Sequence, residues 1–340
     1  MAGETVLVTG GSGFIGGWCV VELLKRGYVV RTTVRSLAKE PAARAAIAAM
    51  VDPGNRLSFH AAELTKDDGW DAAVAGCDYV LHVASPLGVD NPKDANELIV
   101  PARDGALRAV KAAVKAGVKR VVMTSSVASA YPPHSKKPWT SDETVWTDPK
   151  EKGVGAYPQS KVIAEKAAWD YIAQHGGATT LATVNPALVL GPVLTADNLG
   201  SVQVVQRLLN GSIPGAPRLG FNVVDVRDVA DLHIRAMETP EAAGNRFIAA
   251  GQYMWMADIA KVLRERLGAR AAKAPTRILP DFVLRLIALF DPALKSVSGN
   301  LGLKHEFSST KARSMLGWTP RPVEDTIVEC AESLIAKGGV

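Results

Sequence analysis

The chain of 340 residues is long enough to bury a full core, and 47% hydrophobic with 21% charged residues is an ordinary globular composition. The formal net charge is +5, but Lys and Arg are scattered without a basic run interleaved with aromatic residues, so no nucleic-acid partner is predicted. The three cysteines are far apart and lack a Cys-x-x-Cys spacing, which argues against a disulfide framework and favours a reducing, cytoplasmic compartment.

A first predicted strand, residues 5–9, runs directly into a glycine-rich turn and a helix over residues 14–26. The turn places Gly11, Gly13 and Gly16 in the Gly-x-Gly-x-x-Gly spacing of dinucleotide sites. Glycine permits the tight turn and the close approach of a pyrophosphate, which the helix N terminus attracts. We therefore predict a dinucleotide site, with a purely structural turn as the alternative. The predicted cofactor contacts of the turn are Gly10, Gly13, Phe14, Ile15 and Gly16.

The second predicted strand, residues 28–34, ends directly before Arg35. Proteins that bind NAD usually place Asp or Glu here for the adenosine ribose 2′-hydroxyl. Arg35 can instead bind a 2′-phosphate through two hydrogen bonds, with Lys39 adding a second positive charge and Ser36 a hydroxyl. The predicted cofactor is therefore NADP(H), and the alternative for Arg35 is a solvated loop arginine.

Short β-branched runs alternate with longer helical patterns over the first half of the chain, which predicts repeated βαβ units. Further strands are predicted at residues 57–60, 79–83, 120–124 and 180–184, and further helices at residues 41–50, 93–116 and 157–175. This pattern indicates the α/β class, with a doubly wound parallel Rossmann sheet.

The rhythm changes after Pro186, where Gly and Pro become frequent. The elements predicted beyond it are strands at residues 221–226 and 246–249 and helices at residues 228–238, 255–267, 280–290, 309–316 and 323–335. We predict an NADP-binding Rossmann domain of residues 1–186 plus about 223–250. A smaller, mainly helical substrate-binding lobe would take about 187–222 plus 251–340.

The sequence predicts neither a membrane span nor a metal site. Its most apolar segment, residues 282–290, is interrupted by Arg285 and is far shorter than the ~20 residues that a spanning helix needs. The first residues enter the strand pattern without the charged and apolar regions of a signal peptide. The six histidines show no His-x-His or His-Glu-x-x-His spacing, and a Gly-x-Ser-x-Gly nucleophile turn is absent from the sequence.

Tyr157 and Lys161 lie four residues apart in a predicted helix and therefore share a helix face. A phenol is a poor proton donor at neutral pH unless a nearby cation stabilises the phenolate. Pro158 fits a first helical turn, so Tyr157 is expected at the helix start. With a hydroxyl from Ser126, the pair suits carbonyl reduction, although alone it is also typical of a solvated helix face.

Seven motifs follow one another along the chain: the turn at residues 9–16, Arg35, His82-Val-Ala-Ser-Pro86, Thr124-Ser-Ser126, Tyr157-x-x-x-Lys161, Asn185-Pro186 and Val224-Asp-Val-Arg-Asp-Val229. With these motifs the chain resembles extended short-chain dehydrogenase/reductases over nearly its whole length. Within that superfamily it is most similar to the dihydroflavonol reductase-like group. This group includes cinnamoyl-CoA reductases and fungal aldehyde, methylglyoxal and ketone reductases.

The resemblance implies three catalytic roles. Ser126, rather than Ser125, would hydrogen-bond the substrate carbonyl. Tyr157 would give that oxygen a proton, and Lys161 would hold the nicotinamide ribose and stabilise the phenolate. Hydride delivery to the carbonyl carbon builds negative charge on the oxygen, where two placed donors stabilise it. From the residues alone, either serine could instead satisfy backbone groups at the strand end.

Further cofactor contacts are implied by the same resemblance. They are Ala84 and Ser85 beyond the fourth strand, Pro186 and Val189 beside the nicotinamide, and Glu63 and Leu64 near the adenine. Similar proteins often have Asp where this chain has Glu63, and the longer side chain puts that contact in doubt. Asp225, Arg227 and Asp228 are expected to join the two lobes or to cap the following helix.

The predicted function is that of an NADPH-dependent carbonyl reductase, which reduces an aldehyde or ketone and reversibly oxidises the alcohol. A sugar epimerase or dehydratase of the same superfamily is the first alternative. Arg35 argues against it, as does Val127-Ala-Ser129 where dehydratases carry an acidic pair. A non-catalytic NADP(H)-sensing protein is the second, although such sensors commonly lack the Tyr or the Lys that this chain keeps.

The expected partner is a small-molecule carbonyl substrate, aromatic or otherwise bulky, and the chain is expected to be a monomer or a homodimer. Candidate pocket residues share a large apolar or aromatic side chain and are equally plausible as core. They are Leu87, Val127, Tyr131, Trp139, Trp146, Leu190, Leu208 and Trp255.

Overall fold

Strands and helices alternate along the chain in the computed structural model, which describes residues 3–86, 92, 94–135, 137–197, 200–287 and 298–340. The strands are β1 (Thr5–Val8), β2 (Val29–Val34), β3 (Leu57–Ala61), β4 (Tyr79–His82), β5 (Arg120–Thr124), β6 (Trp139–Ser141), β7 (Thr180–Pro186), β8 (Leu188–Leu190), β9 (Gly220–Asp225), β10 (Arg246–Ala249), β11 (Tyr253–Trp255) and β12 (His305–Phe307). The helices are α1 (Phe14–Lys25), α2 (Glu40–Ala48), α3 (Trp70–Val74), α4 (Asn96–Lys115), α5 (Ala156–His175), α6 (Gln203–Leu209), α7 (Val226–Glu238), α8 (Met256–Leu267), α9 (Asp281–Ile287), α10 (Thr310–Leu316) and α11 (Val323–Ala336).

The large sheet contains seven parallel strands in the order β10-β7-β5-β4-β1-β2-β3. Its central strands are buried on both faces, which suits their β-branched residues, and Val6, Val30 and Val121 are 0% exposed. Strand order reverses between β1 and β4, whose carboxyl ends reach the same edge. A crevice at such a reversal is the usual nucleotide position in open α/β sheets. The predicted doubly wound Rossmann sheet is confirmed.

Helices cover both faces of this sheet. Helices α1 and α7 pack together over one face, and α4 and α5 pack together over the other. Strand β1 serves both layers, since Val6 and Val8 join the core beneath α1 and α7, while Leu7 joins the core beneath α4 and α5. Helix α5 also packs against the 3-10 turn Val127–Ala130 that follows β5. Side chains early in α5 are thereby brought beside the carboxyl end of β5.

A second core lies among α6, α8, α11 and the three-stranded sheet β11-β9-β8. At the end of β9, the Asp225 carboxylate caps α7 by accepting a hydrogen bond from Arg227 N at 2.8 Å. Asp228 accepts one from Arg321 Nε at 2.9 Å, so this motif caps the helix and ties chain segments together, as expected. We retain the division into a Rossmann domain and a substrate lobe as a proposal. Its boundary near residue 223 falls inside β9, which belongs to the smaller sheet.

Several short elements were not predicted from the sequence, among them α3, α6 and four strands. Strands β6, β8, β11 and β12 have 3 residues each, too few to show a period of two. Trp255, predicted to begin a helix, ends β11 instead. Residue 93 and residues 288–290, parts of two predicted helices, lie outside the described residues. Within the described ranges, the helices include none that is both long enough and apolar enough to cross a membrane.

Candidate functional site

The turn between β1 and α1 forms a cradle in which backbone lies against backbone. Gly10 has a left-handed φ of +73°, and its carbonyl accepts a hydrogen bond from Gly13 N at 2.9 Å. A Cβ at Gly16 would lie 2.3 Å from that carbonyl oxygen, so a larger residue does not fit. Phe14 and Ile15 begin α1, which has no side-chain cap and no acidic residue in its first turn. The first N–H groups of α1 are therefore available to an anion such as a phosphate.

Thr9 ties this cradle to the end of β4. Its Oγ1 accepts hydrogen bonds from Val83 N at 3.0 Å and Ala84 N at 2.9 Å. The hydroxyl proton then goes to His82 Nδ1 at 3.0 Å, which places the imidazole proton on Nε2. A Cβ on Gly10 would lie 3.1 Å from Ala84 Cβ, so the segments that follow β1 and β4 are in close contact. The predicted cofactor residues after β1 and β4 are thus brought together.

The predicted 2′-phosphate residues lie on the surface directly after β2. Arg35 and Lys39 are both exposed, and neither side chain has a hydrogen bond or ion pair among the described residues. The Ser36 Oγ accepts a hydrogen bond from Ala38 N at 3.3 Å and so caps the 3-10 turn that contains Lys39. Two unpaired cations beside the end of β2 suit a phosphate better than a ribose hydroxyl.

The residues predicted to lie near the adenine follow β3. Lys66 forms an ion pair with the Glu63 carboxylate at 3.1 Å, and with a smaller contribution from Arg35 it lowers the pKa of Glu63. Leu64 packs partly buried against the core beneath α4, and its carbonyl accepts a hydrogen bond from Arg108 Nη1 at 2.9 Å. The Glu63 carboxylate is thus an ionised acceptor that Lys66 already engages.

Lys161 connects the predicted proton donor to the cofactor crevice. Tyr157 is the second residue of α5 and is 43% exposed, whereas Lys161, one turn later, is 8% exposed. The Lys161 Nζ donates to Ser85 Oγ at 2.9 Å and lies 5.5 Å from the centroid of the Tyr157 ring. Gly155 supplies an extended N-cap, so the helix starts just before Tyr157, as the sequence predicts. The ammonium is therefore held beside the phenol at the carboxyl end of β4.

The two serines after β5 have different surroundings. Ser125 donates its hydroxyl proton to the buried Glu165 carboxylate at 2.6 Å. Ser126 caps the following 3-10 turn, and its Oγ accepts a hydrogen bond from Ala128 N at 3.2 Å. Because the Ser126 oxygen is the acceptor in that contact, its own proton remains available for another partner. The structure thus makes Ser126 the better placed of the two to donate.

A buried polar network behind these serines was missed from the sequence. Glu165 and Arg246 form an ion pair at 2.8 Å, with side chains 0% and 7% exposed. Arg246 Nη1 also donates to the carbonyls of Glu143 and Val145, and the Trp146 ring centroid lies 3.6 Å from the guanidinium carbon. One signal was present, since Glu165 continues the four-residue spacing of Tyr157 and Lys161 along α5. Its partner on β10 had no signal.

The remaining predicted residues lie at a strand end, in aromatic contacts or in hydrophobic cores. Pro186 ends β7 opposite Ala249 of β10, and Val189 is 4% exposed in the main core. Tyr131 and Trp139 form an aromatic cluster with Phe307, in which the ring centroids are 6.2, 5.8 and 5.3 Å apart. The candidate pocket residues that are buried in hydrophobic clusters are Val127, Leu190 and Leu208. Trp146 lies against Arg246, Trp255 contacts the Tyr253 ring, and Leu87 lies outside the described residues.

Residues 6–251 match the family model described as the NAD dependent epimerase/dehydratase family. The chain belongs to this family. Cinnamoyl-CoA reductase 1 of Petunia hybrida is 32% identical over 99% of this chain and 94% of that protein. Dihydroflavonol 4-reductase of Zea mays is 36% identical over 77% of this chain and 74% of that protein. The predicted membership of the extended short-chain dehydrogenase/reductases, close to the dihydroflavonol reductase-like group, is confirmed.

A solved structure in this family has the same architecture over the full chain. Yeast methylglyoxal/isovaleraldehyde reductase complexed with NADPH superposes with a TM-score of 0.80 at 26% identity, covering 99% of this chain and 100% of that one. Within the residues that the structure describes, the chain brings together no group of three or more His, Cys, Asp or Glu that could hold a metal ion.

Two buried histidine side chains predict that this protein loses folding stability in acid. Burial lowers the pKa of both His82 and His233 from 6.5 to about 4, and the Lys161 charge adds to the effect at His82. His233 Nδ1 donates to Val229 O, so its Nε2 accepts from Thr124. The unfolded chain binds these protons near pH 6.5 and the native chain only near pH 4. Stability is therefore complete above pH 6.5 and falls by up to about 3 kcal/mol per imidazole as the pH drops toward 4.

The check is the urea midpoint measured from pH 7 to pH 4. The wild type should lose stability as the pH falls through this window. For His233→Gln, the free energy of unfolding should fall less steeply with pH, by the equivalent of about one proton taken up on unfolding. His175→Gln is the control, because His175 is exposed and contacts the ring of Tyr171 rather than a carboxylate. Equal slopes for the wild type and His233→Gln would contradict the prediction.

Proposed function

We propose that this extended short-chain dehydrogenase/reductase is an NADPH-dependent carbonyl reductase that acts on an aldehyde or ketone. That it is an NADPH-dependent reductase follows from its family and from relatives that are reductases. The carbonyl substrate and the role of each residue are our proposal. The observation that carries it is the placement of Lys161 Nζ, 2.9 Å from Ser85 Oγ and 5.5 Å from the Tyr157 ring centroid.

The residues present fit the cofactor. The cradle has no room for a Cβ at Gly16, the left-handed φ of Gly10 disfavours a side chain there, and the uncapped α1 N terminus suits a pyrophosphate. We propose that the cofactor is held by residues at or after the carboxyl ends of β1 to β4 and β7, together with residues of β8 and α5. They are Gly10, Gly13, Phe14, Ile15, Gly16, Arg35, Lys39, Glu63, Leu64, Ala84, Ser85, Tyr157, Lys161, Pro186 and Val189. When bound, NADPH supplies the hydride for the carbonyl carbon.

We propose that the chain supplies the proton and the electrostatic stabilisation. Tyr157 donates its phenolic proton to the carbonyl oxygen as negative charge develops there, and the buried Lys161 ammonium stabilises the phenolate that remains. Ser126 donates a second hydrogen bond to the same oxygen, since its proton is not used within the 3-10 turn. Ser125 does not compete for this role because Glu165 accepts its proton.

The test is NADPH oxidation at 340 nm against aldehydes, aryl ketones, β-keto esters and dihydroflavonols, with the alcohol product identified. We expect stoichiometric alcohol formation for at least one class. Tight NADPH binding without turnover on any class would favour the sensor alternative. Interconversion of sugar nucleotides without net NADPH consumption would favour an epimerase.

Replacement of Arg35 tests the cofactor assignment. If the bond to the 2′-phosphate is worth ~1.5–3 kcal/mol, Arg35→Asp should raise the KM for NADPH by about 10- to 150-fold. The KM for NADH should change little, because NADH lacks the 2′-phosphate. Arg270→Asp, a matched charge reversal at an exposed ion pair with Glu332, should leave both values near wild type. Equal increases for both cofactors in Arg35→Asp would remove the assignment.

We also propose a cytoplasmic setting and a small-molecule substrate as the sole partner, in a monomer or a homodimer. The setting is supported by the cysteines, since Cys19, Cys77 and Cys330 are all free and buried. Burial raises the pKa of the Cys77 thiol to about 11, so the thiol stays protonated and unreactive at neutral pH.

A further inference from the structure

A single buried carboxylate collects the polar groups behind the proposed active site. Glu165 lies on α5 and is 0% exposed. Its Oε2 accepts hydrogen bonds from Ser125 Oγ at 2.6 Å, Ser129 Oγ at 2.6 Å and Asn185 Nδ2 at 2.9 Å. Its Oε1 accepts from Thr183 Oγ1 at 2.9 Å and Arg246 Nε at 2.8 Å. Every one of these contacts is a donor, so the site is built for an ionised carboxylate.

Ser129 also holds the backbone of Ser126. The Ser126 carbonyl accepts a hydrogen bond from Ser129 N at 3.0 Å, while the Ser129 hydroxyl proton goes to Glu165. Ser129 Oγ in turn accepts from Asn185 Nδ2 and Arg246 Nη2, each at 3.0 Å. Glu165 therefore fixes the side chain of the residue whose backbone N–H holds the Ser126 carbonyl. The direction of the Ser126 hydroxyl depends on the Ser126 peptide.

The same carboxylate is part of the helix that carries the other two proposed catalytic residues. Tyr157, Lys161 and Glu165 follow one another at four-residue intervals and so lie along one face of α5. Burial alone would raise the pKa of Glu165, but Arg246 and the hydroxyl donors hold it below its ordinary value. The ion pair therefore keeps a charged anchor inside the protein, between α5 and the strand end that carries Ser126.

We propose that Glu165 is a positioning residue that sets the Ser126 hydroxyl relative to Tyr157. The inference rests on the proposed carbonyl reductase function. A side-chain amide at position 165 would turn an N–H group toward donors on one side or the other, and the Arg246 and Asn185 donors cannot become acceptors at those atoms. The seryl turn, which is Ser126 with the 3-10 turn Val127–Ala130, would then shift. The Gly10 to Gly16 cradle, on the other side of β4, would stay in place.

The experiment compares Glu165→Gln with Asp228→Asn. Asp228 is a similarly buried carboxylate, 6% exposed, that accepts from Arg321 and has no bond to the seryl turn. For Glu165→Gln we expect kcat for the best carbonyl substrate to fall about 10- to 100-fold, with the Kd for NADPH within about 3-fold of wild type. Both variants should have a lower melting temperature than wild type, because each loses a buried charge. Asp228→Asn should nevertheless keep kcat within about 3-fold of wild type.

A double variant identifies the route of the effect. In a Ser126→Ala background, Glu165→Gln should change kcat by less than about 2-fold, because the group that it positions is gone. If Glu165→Gln does not fold, Ser129→Ala replaces it in every comparison, with the same expected loss of kcat. The proposal is overturned if the variant keeps wild-type kcat, if Asp228→Asn loses as much, or if the full loss persists without Ser126. No turnover by wild type would instead reject the carbonyl reductase function.

Discussion

Tyr157→Phe is expected to lower kcat/KM for carbonyl reduction by about 100- to 10,000-fold, the usual contribution of a positioned general acid. The substitution removes only the hydroxyl, so the ring can still lie beside Lys161 Nζ, 5.5 Å from its centroid in the wild type. The Kd for NADPH should therefore stay within about 3-fold of wild type. Steady-state kinetics and fluorescence titration with NADPH check the two expectations separately.

The control is Tyr171→Phe, the same change on the same helix. Tyr171 lies near the other end of α5, where its ring contacts His175 and the Lys111 ammonium, remote from the crevice. We expect its kcat/KM to remain within about 2-fold of wild type. Full activity in Tyr157→Phe would show that another group, or water, delivers the proton.

Arg246→Met is expected to destabilise the protein by about 3–5 kcal/mol at neutral pH, since it leaves the Glu165 carboxylate buried without its counter-ion. Methionine preserves much of the length of the side chain beside the Trp146 ring, and the loss includes the hydrogen bonds to the Glu143 and Val145 carbonyls as well as the charge. Urea unfolding followed by circular dichroism measures the change in the free energy of unfolding.

Two comparisons isolate the charge effect. Arg270→Met removes a partner of an exposed ion pair, with Arg270 and Glu332 side chains 52% and 46% exposed, and should cost less than about 1 kcal/mol. The double variant Glu165→Gln with Arg246→Met should be more stable than Arg246→Met alone, because the unpaired charge is gone while one side-chain oxygen still accepts from the neighbouring donors. Similar losses in Arg246→Met and Arg270→Met would mean that the buried charge is not the cause.

The parts of the site that the sequence predicted are those whose chemistry is local. The turn from Gly10 to Gly16 lies within one βαβ unit, so the glycine spacing and the start of the following helix together predict it. Tyr157 and Lys161 are four residues apart in one helix, so their shared face can also be predicted from local spacing. Arg35 was assigned from its position after a single strand. In each case the partner needed to interpret the residue lies within a few positions.

The parts that the sequence did not predict depend on distant segments. Arg246 lies 81 positions from Glu165, so no spacing rule relates them. The choice between Ser125 and Ser126 could not be made from the residues, because both are small hydroxyls at a strand end. The structure shows one difference between them, since Ser125 donates its proton to Glu165 and Ser126 does not. Short strands such as β6 and β12 become strands only by pairing with each other.

The pairing of β6 with β12 limits the order in which parts of the fold can form during translation. Phe307 of β12 completes the aromatic cluster with Tyr131 and Trp139 beside the seryl turn. On the ribosome, the glycine turn, Tyr157 and Lys161 all leave the exit tunnel long before residue 305 is synthesised. In a nascent chain the residues of the glycine turn are therefore exposed early, and the aromatic cluster cannot be complete until translation has passed residue 307.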